Sequence, residues 1–300
     1  MTLRRRWLAV AGGLLGLLVV LLTVHFLRRS EIVVRDRARP ERLTIGTAPR
    51  LAADLYRPAP GSPQGRPLLV LVHGSVREGR RHRLCRTLGE QLSRGGFPVL
   101  ALDVRGFGES DPPAAPLSSN LRFEEDVRTA ARYALDRGLA RPRRIVYVGH
   151  SLGAAVVLRA SRLEPPPAAV IALSAPATRE IFRERMGGQW RRFAADRLDD
   201  MRWPPDAASI AAMERYLLEL DPDAQRAAGL PAPALLVFGA KEAGARLPPR
   251  WELPHQVLLV PGAAHEYTVE RGPLGVRVYD REPMRALVSA IERWAETWAG

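Results

Sequence analysis

Cysteine is almost missing. Cys85 stands alone in 300 residues, which excludes an internal disulfide framework and any thiolate cluster for zinc or iron–sulfur. Lysine is equally scarce: of 45 basic residues only Lys241 is lysine, and it lies in Gly239-Ala240-Lys241-Glu242. That is not a Gly-Lys-Ser/Thr phosphate loop, so nucleotide chemistry of that type is out. Residues 1–30 contain no acid and five arginines, and the remaining +8 of the +13 net charge is interleaved with Asp and Glu. A nucleic-acid surface needs clustered charge, so no nucleic-acid partner is expected. What is present, 46% hydrophobic and 26% charged residues with 25 Gly and 26 Pro, suits one large globular domain or two small ones. It excludes a mini-protein, a fibre and a disordered chain.

One long apolar run exists, Trp7 to Leu27, with 21 residues free of formal charge. As a helix at ~1.5 Å per residue it spans about 31 Å, the thickness of a hydrocarbon core. Arg4, Arg5 and Arg6 precede it and Arg28 and Arg29 close it, as flanks of a single-pass anchor do. A cleaved export signal competes, but its apolar region would be about 7 to 15 residues, and no Ala-x-Ala site follows Leu27. Residues 1–30 are therefore expected to be a membrane anchor with its flanks. The side of the membrane stays open. Arginines after the run favour a cytoplasmic domain, while Arg4-Arg5-Arg6-Trp7-Leu8 is similar to a twin-arginine export signal.

Beyond the polar stretch around Arg35 to Arg42, short β-rich runs alternate with helical patterns. Strands are expected at Arg42 to Gly46, Leu51 to Tyr56, Pro67 to Val72, Pro98 to Asp103, Arg144 to Val148, Ala168 to Ser174, Ala234 to Phe238 and Gln256 to Val260. The middle ones are continuously apolar, as strands covered on both faces are. Helices are expected at Arg83 to Arg94, Phe123 to Asp136, Leu152 to Arg162 and Met284 to Trp298. This alternation predicts one α/β domain over residues 31–300 with a mostly parallel sheet. From about 178 to 229 no strand candidate appears, only helical sequence with Trp190, Trp203, Met213 and Tyr216. An insertion of that kind predicts a short helical cap over the strand ends, the alternative being two ordinary helices on a sheet face.

Strand Arg144 to Val148 runs into Gly149-His150-Ser151-Leu152-Gly153 and then a helix-forming Ala/Val/Leu stretch. This is G-x-S-x-G between a strand and a helix, where a sharp turn presents the serine hydroxyl at the sheet edge. Random placement would yield about 0.1 such strings in a chain of this composition, and the setting lowers that further. A serine needs a base. Of the six histidines, His265 follows the last expected strand through Pro261-Gly262-Ala263-Ala264, at the same sheet edge as Ser151. The base needs an acceptor to fix its tautomer, and Glu242, just beyond strand Ala234 to Phe238, is the best placed; as a surface acid it would pair with Lys241 or Arg246. Glu180 is the fallback. Backbone donors for a developing oxyanion are expected from the amides of Leu152 and Ser75, the latter in His73-Gly74-Ser75, which could otherwise be a plain turn.

These residues carry a resemblance. From about Arg42 to Trp298 the chain resembles the α/β-hydrolase superfamily, nearest the serine-nucleophile members grouped with monoacylglycerol lipases, esterases and serine aminopeptidases. His73-Gly74, Asp103-Val104-Arg105-Gly106-Phe107-Gly108-Glu109-Ser110, the Ser151 turn, Gly239 to Glu242 and Gly262 to His265 match that family in order and spacing. Glu242 departs from its commoner Asp. The resemblance implies an eight-stranded sheet and a structural role for Asp103 and Arg105. With Ser151 as nucleophile it implies an acyl-enzyme route on a small ester or related acyl compound, with no cofactor and no metal. The same residues would serve an amidase, a peptidase or an acyltransferase, and a non-catalytic hydrolase-like membrane protein is the reading from another class.

Overall fold

The computed structural model describes residues 12–24, 39–175, 187–220, 229–242, 255–271 and 276–300. Eight strands form one sheet: β1 (Glu41–Ile45), β2 (Leu51–Tyr56), β3 (Leu68–Val72), β4 (Val99–Leu102), β5 (Ile145–His150), β6 (Ala169–Leu173), β7 (Ala234–Gly239) and β8 (His255–Val260). Their spatial order is β1-β2-β4-β3-β5-β6-β7-β8. β1 and β2 pair antiparallel, and β2 meets β4 antiparallel. From β4 to β8 every pairing is parallel.

Continuous apolar runs are what this arrangement requires, because alternate residues of a strand point to opposite faces. Leu68, Val70 and Val72 of β3 enter one core with helices α3 (Phe123–Asp136) and α4 (Leu152–Ala160). Leu69 and Leu71 enter the other, with α1 (Arg83–Arg94) and the last helix, α7 (Arg281–Ala299). Helix α7 starts three residues before the expected Met284, because Asp280 caps it by accepting from the Glu282 amide. Two elements have no counterpart in the sequence reading: a short helix α2 (Leu117–Asn120), and an antiparallel hairpin of β9 (Val269–Arg271) and β10 (Val276–Val278).

Where the sequence offers no strand, the described residues 187–220 hold two helices, α5 (Trp190–Asp200) and α6 (Ala207–Glu219). Leu198, Met201, Met213 and Tyr216 join the core on the α3 face. The Tyr216 hydroxyl donates to Glu124 over 2.8 Å and accepts from the Phe123 amide at 3.1 Å. Glu180 lies outside the described residues. So do both ends of the run from Trp7 to Leu27; its described part, residues 12–24, is helical and exposes every large apolar side chain from Leu14 to Val24. Among the described residues no helix is long and apolar enough to cross a membrane.

Two buried ion clusters tie the loops at the carboxyl ends of β3 and β4. Arg80, 2% exposed, meets Asp54 at 3.0 Å, Glu109 at 2.7 Å, and Asp103. Arg105 forks onto Asp126, with contacts of 2.5 and 2.9 Å. A buried charge is tolerated only when paired in this way, and these pairs hold the two loops to the domain beneath them.

Candidate active site

Four adjacent parallel strands, β5, β6, β7 and β8, each deliver one polar residue at the carboxyl end of the sheet: Ser151, Ser174, Glu242 and His265. Ser151 sits between β5 and α4 at φ 52° and ψ −116°. That is left-handed territory, costly for a residue with a Cβ, and the flanking glycines show what enforces it. A Cβ on Gly149 would strike the Gly153 carbonyl, and one on Gly153 would strike the carbonyls of Val72 and His73. The Ser151 amide donates to the Leu173 carbonyl over 2.8 Å, fastening the turn to β6.

Register brings the second loop to the serine. Val72 pairs with Gly149, so the residues that continue β3, His73-Gly74-Ser75, run beside His150 and Ser151. A Cβ on Gly74 would lie 3.2 Å from the Ser151 Cβ, which leaves room for bare backbone only. Among the described residues no hydrogen bond takes up the amide of Ser75 or of Leu152.

His265 reaches Ser151 by folding the loop after β8 back across the sheet. Gly239 permits this, since a Cβ there would come within 2.5 Å of the Ala263 and Ala264 carbonyls. The imidazole Nε2 lies 3.0 Å from the Ser151 Oγ, and Nδ1 lies 2.5 Å from Glu242 Oε1. The other oxygen, Oε2, accepts from the Ser174 hydroxyl at 2.7 Å and from the Gly239 amide at 3.3 Å. Burial alone would raise the Glu242 carboxyl, but the hydrogen bond and charge of His265, with Ser174 and Gly239, outweigh it and hold the group below the usual carboxylate range. An ionised Glu242 can accept a hydrogen bond from Nδ1–H, the tautomer that leaves Nε2 unprotonated toward the Ser151 hydroxyl.

Two partners were not legible as such. Ser174, at φ 48° and fully buried, holds the Glu242 carboxylate from the end of β6, with its hydroxyl 3.2 Å from that of Tyr267, which in turn donates to the Val237 carbonyl over 2.7 Å. His150 lies beside His265, its ring centroid 5.1 Å from the His265 ring, and its Nε2 bonds the His265 carbonyl at 2.9 Å. Burial, then the proximity of His265, lowers His150 to about 3, so it is a neutral donor. Each expected site residue thus has a definite place: Ser151, His265 and Glu242 form one chain of contacts, and Ser75 and Leu152 border it. Among the described residues no group of His, Cys, Asp and Glu could hold a metal ion.

Known proteins share this frame. The chain is 28% identical over 229 residues to the monoacylglycerol lipase of Mycolicibacterium smegmatis, a match covering 66% of this chain and 79% of the lipase. It is 35% identical over 120 residues to human Protein ABHD12B, covering 38% of this chain and 30% of that protein. Among solved structures, Est1E from Butyrivibrio proteoclasticus with ferulic acid bound superposes with a TM-score of 0.59 at 18% identity, covering 85% of this chain and 98% of Est1E; that likeness speaks for the fold alone. Residues 69–299 match the sequence model of the alpha/beta hydrolase family, and the chain belongs to that family.

Proposed function

We propose that the protein is a serine hydrolase that cleaves a carboxylic ester through an acyl-enzyme. The observation that carries this reading is the contact chain from Ser151 Oγ through His265 to Glu242, at 3.0 and 2.5 Å. In the mechanism His265 removes the Ser151 proton as Oγ attacks the ester carbonyl, and Glu242 stabilises the imidazolium that forms. The amides of Ser75 and Leu152 receive the charge developing on the carbonyl oxygen. His265 then returns its proton to the leaving alcohol, and a water activated by the same imidazole releases the acid and restores Ser151. The name of the relative matched over 229 residues, a monoacylglycerol lipase, supports an ester over an amide.

Two further parts belong to the proposal. Residues 178–229 act as a helical cap over the site, supported by the contacts of the α5 end with the loops after β3 and β4 and of α6 with α2 in the loop after β4. The run from Trp7 to Leu27 anchors the protein in a membrane, supported by a helical segment whose apolar side chains are all exposed; that much uncovered hydrocarbon calls for a lipid surround. The test of the chemistry is Ser151→Ala. It should abolish hydrolysis of a short-chain p-nitrophenyl ester and labelling by a fluorophosphonate while the melting temperature holds. Retained turnover or labelling would remove Ser151 from the mechanism.

A further inference from the structure

The end of α5 carries an electrostatic anomaly. Its last two residues are Asp199 and Asp200, and carboxylates at a helix C-terminus face the negative end of the backbone dipole. The compensation comes largely from the loop that borders Ser151. The Ser75 hydroxyl donates to Asp200 Oδ2 over 3.0 Å, and Arg77 Nη2 donates to the carbonyl and to Oδ1 of Asp199 at 3.2 and 3.1 Å. Within α5, Arg197 reaches Asp200 at 3.2 Å. The next residue, Met201, is buried against Gly106 in the loop after β4, where a Cβ on the glycine would come within 2.8 Å of the Met201 Cε. Three consecutive residues of the insertion therefore grip two loops of the sheet edge, and one of the gripped residues is Ser75.

From this we infer that Asp200 is a positioning residue: it holds the Ser75 side chain so that the Ser75 amide points at the developing oxyanion. The inference rests on the proposed hydrolase mechanism, since only there does that amide have work to do. The hydroxyl of Ser75 and the amide of Ser75 share one Cα, so fixing Oγ from outside removes a rotation that would swing the N–H away. Preorganised donors are worth most when they need no reorientation during reaction, and a misplacement of about 1 Å can cost a hundredfold. The helical insertion then does more than shape a pocket. Whatever displaces α5 loosens the oxyanion donor, which couples the cap to the rate of acylation.

The experiment uses the full chain in neutral detergent and compares Asp200→Ala, Asp200→Asn, Ser75→Ala and the Asp200→Ala/Ser75→Ala double variant. Turnover of a soluble short-chain ester and the rate of phosphonylation by a fluorophosphonate are followed well below each melting temperature. Removing a whole oxyanion donor costs about 10²–10³ in kcat; loosening one should cost on the order of tenfold. Asp200→Ala and Ser75→Ala should each lose about that much in kcat and in phosphonylation rate with KM little changed. The double variant should be no slower than either single, because both remove the same contact. Asp200→Asn, which keeps an oxygen to accept from Ser75, should recover most of the rate. A merely structural role would lower the melting temperature without this split. Asp200→Ala within twofold of wild type, or losses that multiply in the double variant, would overturn the inference. Should Asp200→Ala fail to fold, Ser75→Ala and Asp200→Asn still decide it, since a Ser75→Ala rate equal to wild type sinks the idea. Wild-type chain that resists phosphonylation would instead overturn the hydrolase mechanism itself.

Discussion

The two oxygens of Glu242 serve different masters: Oε1 takes the His265 proton side, and Oε2 is held by Ser174 and the Gly239 amide. Glu242→Gln keeps the shape but not the charge, so it should lower kcat by about 10²–10⁴ with KM little altered, and Glu242→Asp should retain more. Wild-type behaviour in both would mean another acid is in play, with Glu180 next to test. The same carboxyl affects stability with a definite sign. Held below its ordinary value of 4.5 when folded, it contributes stability that is complete above that pH and lost as pH falls through the lower folded value. Urea midpoints between pH 6 and 3 should therefore fall less steeply for Glu242→Gln than for wild type. His150 offers a separate check, because His150→Phe keeps a ring but leaves the His265 carbonyl without its donor. That should cost about 1–3 kcal/mol in chemical denaturation and lower kcat as the base loses its footing; unchanged values for both would make His150 mere filler.

At the scale of elements, the turn between β5 and α4 and its neighbour β3 are packed backbone against backbone. Gly153→Ala would drive a methyl group into the carbonyls of Val72 and His73, which belong to a central strand and its loop and cannot yield. A loss of about 3 kcal/mol or more is expected from overpacking of this kind, read as a lower melting temperature or loss of soluble protein. Gly188→Ala, with nothing within 4 Å, should be neutral. The central strands were legible because burial on both faces writes a continuous apolar run into β3, β5, β6 and β7. The β9–β10 hairpin was not, since Val269-Glu270-Arg271 and Val276-Arg277-Val278 are too short for any period to stand out. In the candidate site, Ser151, Glu242 and His265 were legible because each lies within five residues of the carboxyl end of a strand in the same parallel sheet. Ser174 and His150 were not assigned partners, because their contacts come from strands brought together by sheet order rather than by sequence neighbourhood. The Asp200 contact with Ser75 joins positions 125 apart, and only the anomaly of acids at a helix C-terminus could have hinted at it.

For the whole molecule, the antiparallel first strands decide which way the domain is entered. Glu41, where β1 begins, pairs across from Leu55, and Tyr56 in turn pairs with Val99 at the start of β4. The chain therefore comes in at the amino ends of the parallel strands, where Glu41 meets Arg57 at 2.6 Å. Ser151 lies at the other end of the sheet, a strand of six residues away, or about 20 Å. The residues proposed for catalysis all belong to the sheet domain, so the proposed anchor is expected to be dispensable for turnover. Full-length protein should sediment with membranes and resist extraction by high salt and by alkaline carbonate, because burial of an apolar run is hydrophobic rather than electrostatic. A chain beginning at Arg39 should stay in the supernatant and keep its kcat on a soluble short-chain ester. Recovery of the full-length chain in the soluble fraction, or a mature N-terminus mapped just after Leu27, would replace the anchor with a cleaved export signal, while a collapse of kcat in the shortened chain would show that the first 38 residues do reach the site.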